Sequence, residues 1–548
     1  MRPLVAALQV ALLALGLAAP AVHAQAPAAP ASQPQGGALL RGIVIAPAGA
    51  SASAAPGIDV RQVPALDRPE TRAQLQPLLG RRLDQATLMQ VIRTVNRLLA
   101  AAGQKFAVAT VPPQEVGADG VLRVEVREAR VGAISVRRLG DKVFGDEQYR
   151  RLLRVKPGDL LSVDALDEDA DWINRSNPYR TATVVTQPGQ APGTTDLDLV
   201  VTDRRPYGFA LGYDNSGTRI TGRERVLFQA GWGNVAGTDQ QLNYTLYANP
   251  NFRNYVSHTL GYVVPLPWRH LLSVTANDTR VEGRLPAPFD LSGGSDALSV
   301  RYDVPLSVRP RFSQGVYASL DYKRSENNLL FSAAPVSAST TEIFQLGVGY
   351  AATIVDDYGS TRVGVNWFHS PGGVTGRNDD AAFEAARTGA KARYDYQTLD
   401  LDRQTALPRG WTWSLGLRVQ LSNANLLGSE QLAGGGVQSV RSFAEPLVYG
   451  DSGYVLRNEL LARPLPLGSG KGAIGNVQGF LYYDLGRFAV HSALPGEGTR
   501  HLAGWGVGAR ASLAHNVSAR IEGGEQTRMD IPGATPEHRV HVSVSVAF

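Results

Sequence analysis

The chain has 548 residues, with 54 lysines and arginines against 49 aspartates and glutamates, so its net charge is only +5. It contains no cysteine, which excludes disulfides, thiolate metal sites and a cysteine nucleophile. The small net charge, with both signs mixed along the chain, argues against a nucleic-acid-binding protein. A mean hydropathy of −0.13 is far from that of a helical membrane protein.

Residues 1–24 have the pattern of a secretory signal peptide. An apolar run from Pro3 to Val22 follows a single arginine and ends at Val22-His23-Ala24, a small-x-small cleavage pattern. We predict export with cleavage after Ala24 rather than a membrane anchor, because the apolar core is short and lacks a stop-transfer flank. Residues 25–37 are rich in alanine, proline and glutamine and are predicted to be a linker.

Two similar α+β modules are predicted next, over residues 38–131 and 132–205. In the first, Asp84 is placed to cap a helix that has apolar residues at helical spacing. A strand with one apolar and one polar face follows at 122–127. The second has predicted strands and helices at 134–136, 146–155, 163–174, 181–187 and 196–202. Two small domains in tandem are therefore expected.

From residue 206 to the end, short segments with alternating apolar and polar positions replace the helical pattern. Sixteen such segments are predicted as strands, and an even number suits a membrane barrel. Tight turns such as Leu266-Pro267-Trp268-Arg269 alternate with long loops, which are predicted at 281–295, 325–340, 370–390, 423–448 and 526–537. Short turns on one rim and long loops on the other are typical of bacterial outer-membrane barrels. The predicted fold class is therefore a membrane β-barrel of 16 antiparallel strands over residues 206–548, preceded by two small α+β domains.

The final strand shows the membrane pattern most clearly. Valines at 540, 542, 544 and 546 alternate with polar residues at 539, 541, 543 and 545. Lipid outside and water inside require an apolar outer face and a polar inner face. The chain ends on Phe548, and this aromatic ending resembles the signal by which outer-membrane barrels are recognised for insertion.

No motif in the sequence predicts an enzyme. HExxH and GxSxG are absent, and Gly468-Ser469-Gly470-Lys471-Gly472 lacks the spacing and the Ser/Thr of a phosphate-binding loop. The nine histidines are scattered and there is no cysteine, so neither a metal site nor a cofactor is predicted. The glycines of Gly504-Trp505-Gly506-Val507-Gly508 lie in a predicted strand, where they suit tight packing in a barrel.

One loop and one strand stand out by their residues. The loop from Gly428 to Phe443 has a glycine triplet followed by Val440-Arg441-Ser442-Phe443, which predicts a sharp fold with one cation at its tip. In the strand from Gln478 to Gly486, Asp484 lies an even number of residues from the polar Gln478 and so on the same face of the strand. It is therefore predicted to point into the lumen. An arginine at the tip and a carboxylate on the wall would hold the loop inside the barrel.

Across the whole mature chain, these residues resemble the two-partner secretion transporters, the ShlB/FhaC/HecB group within the BamA-like superfamily. The first module resembles that family's first POTRA domain at Gly80, Gly103, Val111-Pro112-Pro113-Gln114 and Asp119-Gly120-Val121-Leu122. Asn177-Pro178-x-Arg180 resembles the second POTRA domain, and Asp214-Asn215-Ser216-Gly217 the first barrel strand and loop. The resemblance implies candidates for substrate capture at Pro112, Gln114, Asn177, Pro178 and Arg180.

The loop from Gly434 to Phe443 is similar to the family's sixth extracellular loop, whose usual tip is Val-Arg-Gly-Tyr/Phe, and Ser442 stands here in place of the glycine. Two strand motifs also match: Phe480-x-x-x-Asp484-x-Gly486, the wall motif that the loop arginine contacts, and Tyr454-x-x-Arg457-Asn458-Glu459, the strand after the loop. The resemblance implies a site made of Val440, Arg441, Ser442, Phe443, Asp484, Gly486, Arg457 and Glu459.

Members of this family often carry a helix before the first POTRA domain that plugs the pore. The short linker here predicts a missing or rudimentary plug, so the sixth loop is expected to be the main obstruction.

The resemblance implies an outer-membrane transporter of a Gram-negative bacterium, not an enzyme. It would secrete one dedicated, large β-helical protein of the hemolysin or adhesin type, which carries an amino-terminal secretion domain. Periplasmic POTRA domains would capture this partner while it is unfolded, and the sixth loop would gate the barrel. The other expected associations are with outer-membrane lipid and, during biogenesis, the barrel-assembly machinery. No nucleic acid or nucleotide is expected, and the chain is expected to be a monomer.

Two alternatives stay open at this point. The first is a BamA/TamA-like factor that assembles other barrels, although such proteins usually carry three or more POTRA domains. The second is a passive porin, which needs no periplasmic modules.

Overall fold

The computed structural model describes residues 38–548, apart from 52–54, 105, 118, 192, 286–288, 307–310, 332–333, 469–473, 515 and 534–537. The predicted signal peptide, the linker and most of the Gly468–Gly472 segment lie outside the described residues. The chain forms two compact units. One consists mainly of residues up to Arg130, and the other mainly of residues from Val131 onward.

The first module is a four-stranded sheet packed against helices. Its elements are β1 (Gly42–Pro47), β2 (Gly57–Asp59), α1 (Pro69–Leu75), α2 (Gln85–Ala101), β3 (Val108–Thr110) and β4 (Val121–Arg127). The strand order is β2-β1-β4-β3, with β1 parallel to both of its neighbours. As predicted, the Asp84 carboxylate caps α2, accepting a hydrogen bond from the Thr87 N–H at 2.7 Å.

The second module has a three-stranded sheet and two helices. Its elements are β5 (Arg130–Arg138), α3 (Asp146–Leu152), α4 (Val163–Ser176), β6 (Arg180–Pro188) and β7 (Thr194–Asp203). The order β5-β7-β6 leaves β6 at an edge of this sheet. Phe144, Tyr149 and Ile173 lie in its buried core. Burial raises the pKa of the Tyr149 hydroxyl, and the hydrogen bond that this hydroxyl donates to the Asp203 carboxylate raises the pKa further.

The remaining described residues supply sixteen antiparallel strands that close into a barrel, which confirms the predicted fold class. The first eleven are β8 (Tyr207–Asp214), β9 (Arg225–Trp232), β10 (Gln241–Ala248), β11 (Tyr255–Pro265), β12 (Leu271–Arg284), β13 (Phe289–Pro305), β14 (Phe312–Phe331), β15 (Ala334–Asp356), β16 (Gly359–Pro371), β17 (Arg393–Ala406) and β18 (Thr412–Ser422). Helix α5 (Asp380–Ala386) lies between β16 and β17, and a small hairpin, β19 (Leu432–Gly434) and β20 (Val448–Gly450), follows β18. The other five are β21 (Ser452–Leu461) continued by β22 (Leu465–Leu467), β23 (Gly475–Ala489), β24 (Arg500–Leu513), β25 (Val517–Met529) and β26 (Arg539–Ala547).

The barrel closes where the last strand pairs with the first, from Ser543 opposite Asp214 to Ala547 opposite Ala210. Val540 and Val544 are exposed, whereas Arg539 and His541 are buried. This alternation confirms the outer and inner faces predicted for the last strand. Within the described part of the chain, no helix is both long and apolar enough to cross a bilayer.

For two of the long loops, the prediction from the sequence is wrong. Residues 281–295 and 325–340 are largely the ends of two long hairpins, in which β12 reaches Arg284 and β14 reaches Phe331. With 20 residues in β14 and 23 in β15, these strands exceed the roughly 9–11 residues needed to cross a bilayer. Beyond the bilayer a strand has no lipid face, so the alternation of apolar and polar residues that identifies a membrane strand is not required there.

Candidate functional site in the barrel lumen

The connection between β18 and β21, residues 423–451, is the sixth in chain order at its end of the barrel. It folds into the barrel and is called loop six below. Gly435 and Gly436 adopt left-handed backbone, with φ of 102° and 82°. A Cβ atom at Gly434 would lie 2.4 Å from Cζ of Phe488. The glycine triplet therefore gives loop six both its sharp turn and its close approach to the wall.

Two apolar side chains flank the tip of loop six and fix it against the wall. Val440 and Phe443 are fully buried, in one cluster with Leu432, Val448, Val455, Phe488 and Leu502. Burying a side chain of this size stabilises the folded state by about 1.5–3 kcal/mol. The tip is therefore held by packing as well as by charge.

Arg441, between these two anchors, is bound by carboxylates on three sides. Its Nε and Nη2 atoms donate to the two oxygens of Asp484 at 2.6 and 2.7 Å, and its side chain is 1% exposed. Its Nη1 donates to Glu459 at 2.5 Å and lies 3.4 Å from Glu522. The guanidinium carbon also lies 4.0 Å from the centre of the Tyr482 ring. Only a planar guanidinium meets all of these partners at once.

Further arginines on the wall neutralise the same carboxylates. Arg520 donates to Glu459 at 3.0 Å and to Glu522 at 2.8 Å, and Arg510 lies 3.5 Å from Glu459. The last strand joins this network, because His541 lies with Nε2 2.9 Å from the Arg441 carbonyl oxygen. The tip of loop six is thus bound to strands from β21 through β26.

Ser442 fits the tip without the glycine usual in the family. Its backbone does not lie in the left-handed region, and its hydroxyl lies 3.3 Å from the Trp505 carbonyl oxygen. Glycines on the facing strands leave room for its side chain. A Cβ atom at Gly504 would lie 2.6 Å from the Ser442 Cβ atom, and one at Gly524 would lie 2.8 Å from its hydroxyl oxygen.

Replacing Ser442 by glycine is therefore expected to have little effect, whereas Ser442→Leu should unseat the tip. Glycine loses two long hydrogen bonds of the hydroxyl, to the Trp505 carbonyl oxygen at 3.3 Å and to the Tyr482 hydroxyl at 3.5 Å. A hydrogen bond of ordinary length contributes about 0.5–1.5 kcal/mol, and these are at the weak end. Leucine overfills the space beside Gly504, and overpacking of this kind costs about 1–3 kcal/mol. The two variants should be compared by heat-modifiable mobility of the barrel and by its conductance in planar bilayers. Equal behaviour of the two would contradict the fit described for Ser442.

Arg457 and Gly486 lie beside Asp484 and play different parts from Arg441. Arg457 faces Asp484 in the β21–β23 register, but among the described residues its Nε atom has no hydrogen-bond partner. At Gly486 a Cβ atom would lie 2.7 Å from the Phe488 ring. Gly486 therefore leaves room for the Phe488 ring, on which Gly434 packs. Arg457 is a second cation next to Asp484, in addition to Arg441.

Phe548 lies at the seam between the last and first strands. Its backbone N–H donates to the Phe209 carbonyl oxygen at 2.8 Å, and the two rings are 6.4 Å apart. Its side chain remains exposed on the apolar face of the barrel.

The substrate-capture candidates fall into two groups. In the first module Pro112 and Gln114 are half-buried, and the Gln114 amide bridges the N–H and carbonyl groups of Arg123 at 3.0 and 2.7 Å. In the second module Pro178 is exposed, but Asn177 and Arg180 are 0% and 1% exposed. The structure therefore corrects the expectation for Asn177 and Arg180, because neither presents a surface that a substrate could touch.

The sequence did not single out a second buried cluster, which joins three loops at Asp451. The Arg387 guanidinium donates to both oxygens of Asp451 at 2.6 and 3.0 Å. The Leu426 N–H at 2.9 Å, the Gln431 amide at 3.0 Å and the His491 N–H at 2.9 Å donate to the same carboxylate. Asp451 is fully buried and so fastens the α5 loop and the 490–499 loop to the base of loop six.

Helix α5 and loop six pack against each other and against the inner wall. Phe383 of α5 is fully buried among residues that include Tyr394, Tyr396 and Leu426. Glu430 at the base of loop six accepts from the Lys323 ammonium at 2.6 Å and from the Tyr396 hydroxyl at 2.8 Å. Loop six is thus held at its tip and at its base by separate sets of charged residues.

Comparison with known proteins assigns the family. Residues 193–511 match the family model for the haemolysin secretion/activation protein ShlB/FhaC/HecB, and residues 55–129 match the ShlB-type POTRA domain. The chain is 24% identical over 356 residues to the outer membrane transporter CdiB of Dickeya dadantii (strain 3937), a match that spans 62% of this chain and 60% of that protein. It is 21% identical over 464 residues to the heme/hemopexin transporter protein HuxB of Haemophilus influenzae, across 81% and 79% of the two chains.

A solved structure has the same fold. CdiB from Escherichia coli superposes with a TM-score of 0.78 at 20% sequence identity, over 97% of this chain and 94% of that one. The ShlB/FhaC/HecB model by itself covers more than half of the 548 residues. The chain therefore belongs to the haemolysin secretion/activation family ShlB/FhaC/HecB, the two-partner secretion transporters.

Proposed function

We propose that this protein carries one dedicated partner protein across the outer membrane, from the periplasm to the cell surface. The chain is an outer-membrane β-barrel protein of a Gram-negative bacterium, with its POTRA domains in the periplasm. The observation that carries the proposal is loop six, which is held inside the barrel by Arg441 on a wall of charged residues. A barrel of this size encloses an aqueous lumen, and an obstruction held by ion pairs can be displaced and restored.

The charge balance of the wall supports a reversible gate. Without Arg441, the wall still has the carboxylates Asp484, Glu459 and Glu522 beside the guanidiniums of Arg457, Arg510 and Arg520. When the tip leaves, these groups are able to neutralise one another in the wet lumen. Loop six therefore gates the barrel without leaving a large excess of one charge on the wall.

Capture of the partner is assigned to the edges of the POTRA sheets. The strand orders leave β3 and β6 at sheet edges, where an extended chain would bind by main-chain hydrogen bonds. The Ala109 N–H of β3 already donates to the Asn96 side chain, and the Asn174 side chain bonds the Ala182 N–H and carbonyl of β6, so the partner would use the other main-chain groups or displace these amides. Pro112 and Gln114 continue the β3 edge, where Gln114 takes the place of a strand partner for β4. We assign capture to this edge rather than to Asn177 and Arg180.

The partner is proposed to be a large β-helical exoprotein of the hemolysin or adhesin type, with an amino-terminal secretion domain. Its folding outside the cell would make export favourable without a nucleotide. One copy of the transporter is sufficient for this route, and the exposed Phe548 at the seam is the proposed signal to the barrel-assembly machinery.

Deleting the gene and comparing the proteins of the culture medium by mass spectrometry tests the proposed function. We expect one very large protein to fall by more than tenfold, which a reintroduced wild-type copy restores. The amounts of other outer-membrane barrels should not change. An unchanged medium together with a general loss of barrels would instead favour an assembly factor. A wide, stable and unobstructed pore in single-channel recordings would favour a passive porin.

A further inference from the structure

Two turns of the barrel contact the second POTRA domain. Each contact includes a buried arginine–aspartate pair. The first turn, residues 233–240, joins β9 to β10, and the second, residues 266–270, joins β11 to β12. In the first pair the arginine comes from the POTRA domain. In the second pair it comes from the barrel.

The first pair joins Arg180 to Asp239. The Nη1 and Nη2 atoms of Arg180 each donate to an oxygen of Asp239 at 2.8 Å, and the arginine side chain is 0% exposed. The Asn177 amide donates to Asp239 at 2.9 Å and to the Gly233 carbonyl oxygen at 2.5 Å. Burial raises the pKa of the Asp239 carboxyl, and Arg180 and Asn177 act against that rise. The residues expected to capture substrate thus bind a barrel turn instead.

The second pair joins Arg269 to Asp169 with the charges reversed. Asp169, on helix α4, has a fully buried side chain, and Arg269 donates to it. The same guanidinium donates to the Leu152 carbonyl oxygen at 2.8 Å. Asp169 also accepts from the Arg154 N–H at 2.9 Å. Arg269 therefore reaches across the loop after α3 to the helix that precedes Asn177.

In both turns, the residue that binds the POTRA domain stands at a backbone position where glycine would be less strained. Asp239 and Arg269 each have φ of 67°, a left-handed conformation that favours glycine. Glycine would relieve this strain but would remove the side chain that binds the POTRA domain. The ring of Tyr179 also packs on the first turn, where a Cβ atom at Gly233 would lie 1.9 Å from it.

We propose that Asn177, Arg180 and Asp169 are positioning residues, which fix the second POTRA domain to the barrel rim through Asp239 and Arg269. The partner would then pass from this domain to the lumen across a rigid junction. This consequence for transport rests on the proposed function, whereas the rigidity of the junction does not.

The test variant is the double substitution Asp239→Gly and Arg269→Gly. Glycine suits the left-handed backbone, so the turns themselves should not be weakened. The matched control is Arg311→Gly with Arg409→Gly, two turn residues with φ of 68° and 62°. Within the described part of the chain, neither makes a hydrogen bond or ion pair with the second POTRA domain. Heat-modifiable mobility should show equal amounts of folded barrel in all three proteins.

Spin labels report the junction directly, because the chain has no cysteine of its own. The labelled sites are Val185→Cys on β6 and Tyr358→Cys in the β15–β16 turn, both of them exposed. We expect one narrow distance distribution in the parent and in the control, and a broadened one in the test variant. Secretion of the protein that the deletion strain fails to release should fall by more than about tenfold in the test variant, as expected for removing partners of buried ion pairs.

Equal distance distributions in the test variant and the control would overturn the proposal. So would a broadened distribution with secretion at the parental level. If Asn177 and Arg180 captured substrate instead, a change confined to the two barrel turns would be harmless to secretion. If the parent secretes nothing, the proposed function fails, and the distance measurement still decides whether the junction is rigid.

Discussion

Arg441→Ala should abolish most secretion while the barrel still folds and inserts. The change removes the bidentate partner of Asp484, which is fully buried, and a cation that also serves Glu459 and Glu522. Removing one partner of a buried pair costs about 3–5 kcal/mol, a cost that lumen water reduces. Val440 and Phe443 alone should not hold the tip in one place. Secretion should fall by more than about tenfold, and planar-bilayer recordings should show larger and more variable conductance.

Asp484→Ala should reduce secretion less than Arg441→Ala does, because Arg441 keeps Glu459 and Glu522 as partners. Secretion by Arg441→Lys should lie between that of wild type and that of Arg441→Ala, since lysine keeps the charge but cannot donate two parallel hydrogen bonds to Asp484. Arg441→Asp with Asp484→Arg tests whether the pair itself is what matters. The matched control is Arg528→Ala, whose ion pair with Asp530 is exposed and worth at most about 1 kcal/mol. Wild-type secretion by both alanine variants at normal barrel levels would contradict a role for the pair in holding loop six.

The features predicted correctly from the sequence are those that a local pattern specifies. Period-two alternation with a lipid face identified the sixteen strands, and the parity of Asp484 along its strand placed it inside. The glycine triplet predicted the sharp fold of loop six because left-handed backbone at Gly435 and Gly436 is a local requirement. Each of these inferences needs only neighbours in sequence.

Other features were missed because their signal is not local. Glu522 and His541 are inward polar residues like many others in the barrel, and parity does not reveal which of them lie at the height of Arg441. Asp239 is 59 residues from Arg180, so the motif suggested a function for the arginine without indicating its partner. The motif therefore predicted a substrate-facing role for a side chain that is buried against Asp239.

Strand β1 was missed for a different reason. Its first five residues are all buried, so Gly42–Pro47 shows no alternation between wet and dry faces. A strand whose two faces are both covered has this character, and a short apolar run does not distinguish it from a buried helix.

Asp451→Asn should release the α5 loop from loop six without unfolding the barrel. Asp451 uses both of its oxygens for five donors, which come from Arg387, Leu426, Gln431 and His491. Asparagine retains one acceptor oxygen, and its NH₂ group would face at least two of these donors, which lose the acceptor they have in Asp451. The Nη1 of Arg387 keeps the Leu426 carbonyl oxygen as a second acceptor. Leaving buried donors unpaired costs about 1–3 kcal/mol each, and more for the charged guanidinium. Trypsin added to intact cells should therefore cleave residues 372–392 more than about tenfold faster, because cleavage follows local opening.

The matched control for Asp451→Asn is Asp395→Asn. Asp395 also lies at the loop-bearing end of its strand, but its side chain is 35% exposed and its hydrogen-bond partners are His369 and Asn423. An exposed pair of this kind contributes at most about 1 kcal/mol, so trypsin should cleave this variant at nearly the wild-type rate. Heat-modifiable mobility should be the same for both variants, which separates loop release from barrel unfolding. Equal cleavage of the two variants would mean that Phe383 and its apolar neighbours hold the α5 loop without help from Asp451.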